Sequence, residues 1–379
     1  MAAILKCIGP KNNIKIDWEE VAVPALMSDS IELKVYIENS GSMDAYMCPG
    51  SNLKDAVFDY ISELKKLTSC TSLYYINSKV IPYKGNLNSF IKDLSPAAFA
   101  KAGGSRGNTD LMKIFSDILE SQNENTVSIL VSDCILDIPE SATNYFGQCQ
   151  VSIKNSFNEA LAKLPKLGVM IIQLESKFDG VWFCGKNSKK LSNIKRPYYI
   201  WVIGNQQYLS VINKKVNVNN IIGGIKNYSA YAPSQPIPFT FEKSMFKVNH
   251  TKKIKVELVM DLSASLQNGL VTKNLENYKP SNPSQMAIVS IQDINAHNSQ
   301  YSHVIEFELT NPETLREENI SFSYPYLAPW VEVANDSTGT DIDKNIEKTT
   351  GILSLIKGVA EAYKTHTNYG AITFSLKNK

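Results

Sequence analysis

The sequence predicts an α/β domain on a mostly parallel central sheet flanked by helices, followed by a β-rich domain, sandwich or barrel, with a C-terminal helix. Three observations predict it. Strand-like and amphipathic helix-like segments alternate through the first 230 residues, the grammar of a sheet covered on both faces. The later strands of that stretch are almost continuously apolar, as doubly buried strands are. Three prolines in Ala230–Pro238 (A-Y-A-P-S-Q-P-I-P) then mark a linker. Beyond it, short strand-like pieces are separated by Asn-, Ser- and Pro-rich turns.

In chain order, residues 1–28 contain I-L-K-C-I and N-I-K-I-D-W, pieces able to pair with the second domain. The α/β domain spans 29–230. Ile31–Ile37 (I-E-L-K-V-Y-I) alternates as a strand, with Lys34 out of place inside it. Asn52–Leu67 sets Leu53, Val57, Tyr60, Ile61 and Leu64 on one helical face. Ser72–Tyr83 reads as a strand or hairpin, and Asp110–Ser121 as a helix with Thr109 as N-cap. Strands over Thr126–Val131, Leu167–Leu174 and Tyr198–Gly204 bracket a helix over Ile153–Leu164. After the 231–238 linker, the β-rich domain (239–379) has strands at Ile254–Met260, Met286–Ile291, Val304–Leu309 and Ile320–Tyr324. A helix over Ile342–Tyr363 and a strand over Ala371–Leu376 close the chain.

Composition narrows the function. A net charge of +2 over 379 residues argues against nucleic acid or an anionic membrane as partner. With only Arg106, Arg196 and Arg316, bidentate phosphate or base readout has few candidates. The Lys-rich run Lys186–Arg196 reads as a solvated connection between strands. No stretch approaches the ~20 apolar residues of a membrane span, and the N-terminus has no signal-peptide pattern. The scattered Cys7, Cys48, Cys70, Cys134, Cys149 and Cys184 read as reduced thiols of a cytoplasmic protein.

The chemistry concentrates in strand-end loops. Ile37–Met43 (I-E-N-S-G-S-M) places Glu38, Ser40 and Ser42 on one turn, Gly107–Leu111 (G-N-T-D-L) supplies Thr109, and Val131–Cys134 (V-S-D-C) supplies Asp133. In an open α/β sheet such loops converge at the carboxyl ends of the strands. These segments resemble, in order, the von Willebrand factor A (vWA) domain's metal-ion-dependent adhesion site (MIDAS): Asp-x-Ser-x-Ser, then Thr, then Asp. The likeness spans roughly residues 28–230. It implies a Rossmann-like fold and a divalent cation, Mg²⁺ with Mn²⁺ or Ca²⁺ as alternatives, at Glu38, Ser40, Ser42, Thr109 and Asp133. It also implies that a partner protein's acidic residue fills the open coordination position. The departure is Glu38 in place of the first Asp, longer by about 1.5 Å. Either it binds the ion directly, or it loosens the site towards Ca²⁺ or Mn²⁺, or the site stays empty.

Competing motifs are weaker. V-M-D-L-S-A-S (Val259–Ser265) reads as a turn of the β-rich domain, and G-G-S-R-G (Gly103–Gly107) lacks the buried strand that a hydrolase elbow needs. His250, His297, His303 and His366 show no zinc spacing. Tyr324, Tyr326 and Trp330 read as packing. The expectation is a non-enzymatic adaptor that binds a protein partner through the metal site. The alternatives are a metal-free structural subunit and a hydrolase using Ser105 or a phosphatase using Asp133 and Glu38.

Overall fold

The computed structural model describes residues 13–22, 31–107, 109–139, 143–294 and 299–379; the Ile4–Ile8 segment, Cys7 and His297 lie outside them. The first half runs β1 (Asn13–Trp18), β2 (Glu32–Glu38), α1 (Leu53–Lys65), β3 (Cys70–Ile76), β4 (Val80–Pro82), α2 (Leu87–Lys92), α3 (Pro96–Lys101), α4 (Leu111–Glu120) and β5 (Thr126–Ser132). It continues with α5 (Tyr145–Lys163), β6 (Leu167–Cys184), β7 (Asn187–Asn205), α6 (Gln206–Lys215) and β8 (Ile225–Tyr231). The rest comprises β9 (Phe239–Phe241), β10 (Met245–Lys247), β11 (Lys253–Met260), α7 (Gly269–Thr272), β12 (Tyr278–Pro280), β13 (Met286–Asp293), β14 (His303–Thr310) and β15 (Glu317–Ser323). Last come α8 (Trp330–Val333), β16 (Asn335–Asp336), β17 (Thr349–Thr350), α9 (Ile352–Ala362) and β18 (Asn368–Asn378).

The fold corrects the expected class. The molecule is β-rich and mostly antiparallel, not a Rossmann-like α/β domain on a mostly parallel sheet. In the seven-stranded sheet β4-β3-β2-β5-β7-β6-β8, only β2 pairs in parallel, with β3 and β5; the pairings β3–β4, β5–β7, β7–β6 and β6–β8 are antiparallel. The physical reason is the turn between β6 and β7. Cys184 pairs with Asn187, leaving Gly185 and Lys186 as a two-residue loop, which can join only antiparallel neighbours. Gly185 has φ +56, and a Cβ there would lie 2.9 Å from the Ile138 carbonyl oxygen.

The Lys-rich run is therefore strand, not connection. β6 and β7 extend 18 and 19 residues, and the polar half of β7 hid its regularity. Continuous apolar runs misled for a related reason. Ile200 and Val202 of β7 face one core with Ile37 and Val131, while Trp201 and Ile203 face a second core with Leu130 and Phe157. Burial on both faces removes polar alternation whichever way the strands run. Lys34 has its own explanation: Nζ donates to the Ser121 carbonyl oxygen at 3.0 Å, at the C-terminal end of α4, where the helix dipole favours a cation.

Two further antiparallel sheets, β10-β1-β18-β15-β12 and β13-β14-β11-β9, pack face to face. Phe241 and Phe307 of one sheet meet Phe374 of the other at centroid distances of 5.3 and 5.6 Å. The expected helix over Ile342–Tyr363 begins only at Ile352. Arg196 holds the Ile346 and Lys348 carbonyls at 2.9 and 3.3 Å, and turns over 342–347 lead into β17, which pairs with β16, before α9 starts. α9 packs on α5, beside the seven-stranded sheet. No helix among the described residues is long and apolar enough to cross a membrane.

Gly358 allows the α5–α9 contact, because a Cβ there would lie 2.7 Å from the Gln150 carbonyl oxygen and 2.9 Å from Ile153 Cβ. Gly358→Ala is expected to force the helices apart and cost about 1–3 kcal/mol, read as a lower urea midpoint with unchanged slope.

Candidate functional site: a buried carboxylate pair at a strand-end pocket

The parallel strands set the site. The chain passes from β2 outward to β3, then returns to place β5 on β2's other side. At such a switch point the loops leaving the carboxyl ends of adjacent strands diverge and open a crevice. Glu38 is the last residue of β2, and Ser132 the last of β5. Glu38, Ser40, Ser42, Thr109 and Asp133 all line one pocket there. All five are buried.

The hydrogen bonds define what each group has left to offer. Ser40 and Ser42 share a bond at 3.1 Å. The Ser132 hydroxyl donates to Glu38 Oε2 and accepts from the Cys134 amide at 2.8 Å. The Ile135 amide reaches Asp133 Oδ1 at 3.3 Å. Asp133 Oδ2 and Thr109 Oγ1 are buried with no hydrogen-bond partner. Thr109 is free for the pocket because the N-cap of α4 is Asp110, not Thr109: its side chain accepts from the Lys113 amide at 3.0 Å.

Charge is the dominant feature. Burial, reinforced by the charge of Asp133 and opposed by Ser132, pushes Glu38 up to about 8. Burial also raises Asp133, eased by the hydroxyl of Ser42, the Ile135 amide and the charge of Arg196. Two carboxyls buried in one site disfavour each other's ionisation, and the pair therefore takes up a proton more readily than two exposed carboxyls do. Cys134, next in the chain, has φ +56. This left-handed conformation is costly for a non-glycine residue. It is held from the side by Trp201 Nε1 on Cys134 Sγ at 3.3 Å.

Several neighbours were not singled out from the sequence. Arg106 ties the two loops together through the Asn39 and Ser40 carbonyls at 2.8 and 3.2 Å and through Asp44 at 2.5 Å. Ser132 was visible as the residue before Asp133. Phe183, 42% exposed on the rim, comes from the β6–β7 arm and left no sequence signal. The decoys fall elsewhere. Asp261 and Ser263 form a local turn, with the Ser263 hydroxyl donating at 2.6 Å, and Trp330 Nε1 binds the Tyr228 carbonyl at 3.0 Å.

No family model matches the chain, and no curated protein matches it. With the antiparallel sheet, this overturns the assignment to the von Willebrand factor A family, and with it the MIDAS and Rossmann-like labels. The metal-binding label loses the support that the family would have given it. No three His, Cys, Asp or Glu side chains gather into a metal-holding group among the described residues; the carboxylates that line the pocket are Glu38, Asp133 and Asp137, the last accepting from the Gly185 amide at 3.0 Å, and the other side-chain oxygens are hydroxyls.

The raised Glu38 fixes a sign for stability. Below its ordinary value of 4.5 the group is neutral folded or unfolded; above that the unfolded chain ionises first, and the difference is complete once pH passes about 8. Wild-type stability should fall across that window. Glu38→Gln should flatten the fall and exceed wild type by on the order of a few kcal/mol at alkaline pH, measured by denaturant unfolding in metal-free buffer at several pH values.

Proposed function

We propose that this chain is a protein–protein interaction subunit that docks a partner at the Glu38–Asp133 pocket. The observation that carries the reading is the pair of unpartnered buried oxygens, Asp133 Oδ2 and Thr109 Oγ1, facing an open crevice beside a second buried carboxyl. Leaving such groups unsatisfied costs about 1–3 kcal/mol each, and an arriving donor or cation removes that cost. The occupant we propose is a divalent cation, Mg²⁺ ahead of Mn²⁺ or Ca²⁺, completed by a partner's acidic side chain. Glu38 and Asp133 with the hydroxyls of Ser40, Ser42 and Thr109 suit a hard ion that keeps several waters, and with Asp137 engaged by the Gly185 amide at 3.0 Å so few charged ligands imply weak binding until the partner arrives. Cytoplasmic residence is part of the proposal, supported by the free thiols of Cys48, Cys70, Cys134, Cys149 and Cys184.

A metal-free structural subunit is the second reading, favoured by the absence of a three-ligand acidic cluster among the described residues. A proton shared by the pair then replaces the ion. Hydrolysis is the least supported. Ser105 is held through its backbone by Ser78, at 2.9 and 3.3 Å, and has no paired histidine among the described residues.

Proton and cation compete for the same oxygens, which makes the proposal measurable. Mg²⁺ titrated calorimetrically at neutral pH, in buffers of differing ionisation enthalpy, should release about one proton per ion bound. Asp133→Asn should abolish the binding. Absence of heat and of proton release in wild type rejects the cation and leaves the metal-free subunit. Separately, Ser40→Ala/Ser42→Ala should fold normally and lose the proteins that co-purify with wild type in Mg²⁺; retention of those proteins rejects the pocket as docking point.

A further inference from the structure

The pocket at the ends of β2 and β5 has an apolar wall that a hydrated ion does not need. Beside the carboxyls and hydroxyls it is lined by Ile135 and Phe183. Phe183 lies against the turn after β2, where a Cβ on Gly41 would be 3.6 Å from its ring. Along β6, Trp182 and Cys184 are each 2% exposed, whereas Val181 and Phe183 on the alternate face are 37% and 42% exposed. The solvent face of a half-buried antiparallel strand ordinarily carries polar side chains. Here it carries a valine and a phenylalanine side by side. Their cross-strand neighbours on β7 are Lys190 and Ser188, both exposed, so this face of the arm stays open.

Size and charge decide what fits. The pocket holds about 110 Å³, room for roughly three or four waters at ~30 Å³ each. An ion, its remaining waters and one carboxylate fill that space. An apolar group carried on the same segment as the carboxylate must therefore lie outside, over Phe183 and Val181. The arm around them is basic: from Phe178 to Lys195 it carries Lys186, Lys189, Lys190 and Lys195 against Asp179 alone. Such a surface complements an acidic segment.

We propose that the partner docks through a segment in which an acidic residue enters the pocket and a nearby large apolar side chain seats on Phe183 and Val181. This rests on the Glu38–Asp133 pocket being the docking point, and adds the sequence that it selects. Random peptides displayed on phage, selected on the full chain in Mg²⁺, are the probe; the enriched ones are synthesised and their affinities measured by fluorescence polarisation. They should carry Asp or Glu with a large apolar residue about two or three positions away, the reach of an extended chain across the rim. Asp133→Asn should abolish their binding, and Val181→Thr/Phe183→Ser should weaken it about tenfold or more, since both side chains lose apolar burial. Changing the peptide's apolar residue to Ser should weaken binding to wild type by a similar factor, but by less than about twofold in Val181→Thr/Phe183→Ser, a coupling that general damage to the fold does not produce. No enrichment, or peptides that still bind Asp133→Asn, overturns the docking point and this proposal with it. Peptides that need Asp133 but bind Val181→Thr/Phe183→Ser as well as wild type, or that rely on Lys or Arg in place of an acid, overturn this proposal and leave the docking point standing.

Discussion

The central strands of the seven-stranded sheet are buried on both faces, and this constraint decides where polar chemistry can occur. Val35 and Ile37 of β2 enter one core while Tyr36 enters the other; Val131 and Leu130 of β5 divide in the same way. Neither strand has a face on which a carboxylate could meet water. Such groups can stand only where a strand ends, and Glu38 and Ser132 stand there. The switch from β3 to β5 around β2 keeps these ends from being sealed by a direct connection. Position and burial of the pocket thus have one origin.

The same burial makes the pair unstable as two anions. Its hydrogen bonds are few: Ser132 serves Glu38, and Asp133 has the Ile135 amide on one oxygen and the help of the Ser42 hydroxyl. A buried carboxylate that the fold required for stability alone would be expected to have its oxygens occupied, as Asp336 does by accepting from Thr338, Gly339 and Thr350. For Asp336 no ligand is needed. The contrast between the two aspartates, both buried in one chain, is what marks Asp133 as unfinished.

How much was legible follows from the range of each interaction. Local signals read well: the helical face Leu53, Val57, Tyr60, Ile61 and Leu64 is buried as its spacing predicts. The residues Glu38, Ser40, Ser42, Thr109 and Asp133 were named from three loops, and the fold brings them to one pocket. Strand direction was not legible, because a doubly covered strand carries no mark of its neighbour's orientation. The two-residue turn at Gly185 carried that information, but it lay inside a lysine-rich run whose composition resembles a loop. The early start expected for α9 failed for a longer-range reason: the guanidinium that ties up the Ile346 and Lys348 carbonyls comes from Arg196, some 150 residues earlier. The family likeness failed because three short motifs test one rim of the sheet, at the ends of β2 and β5, and say nothing about the other five strands.

The antiparallel arm changes what the pocket can be. Beyond the sheet, β6 and β7 continue past the strand ends, and the arm packs on the turn after β2: a Cβ on Gly180 would lie 2.6 Å from Ala45 Cβ. On its other side the arm is fastened to the loop after β5, through Cys184 Sγ on the Leu136 carbonyl and the Gly185 amide on Asp137. Both loops that carry the carboxyls therefore lean on one rigid hairpin, which also sets Phe183 on the rim. A parallel sheet would have left those loops to their own helices. Because one hairpin braces both, separating Glu38 from Asp133 requires displacing strands that reach into the sheet itself. The brace thus opposes the separation that would relieve the pair's mutual repulsion.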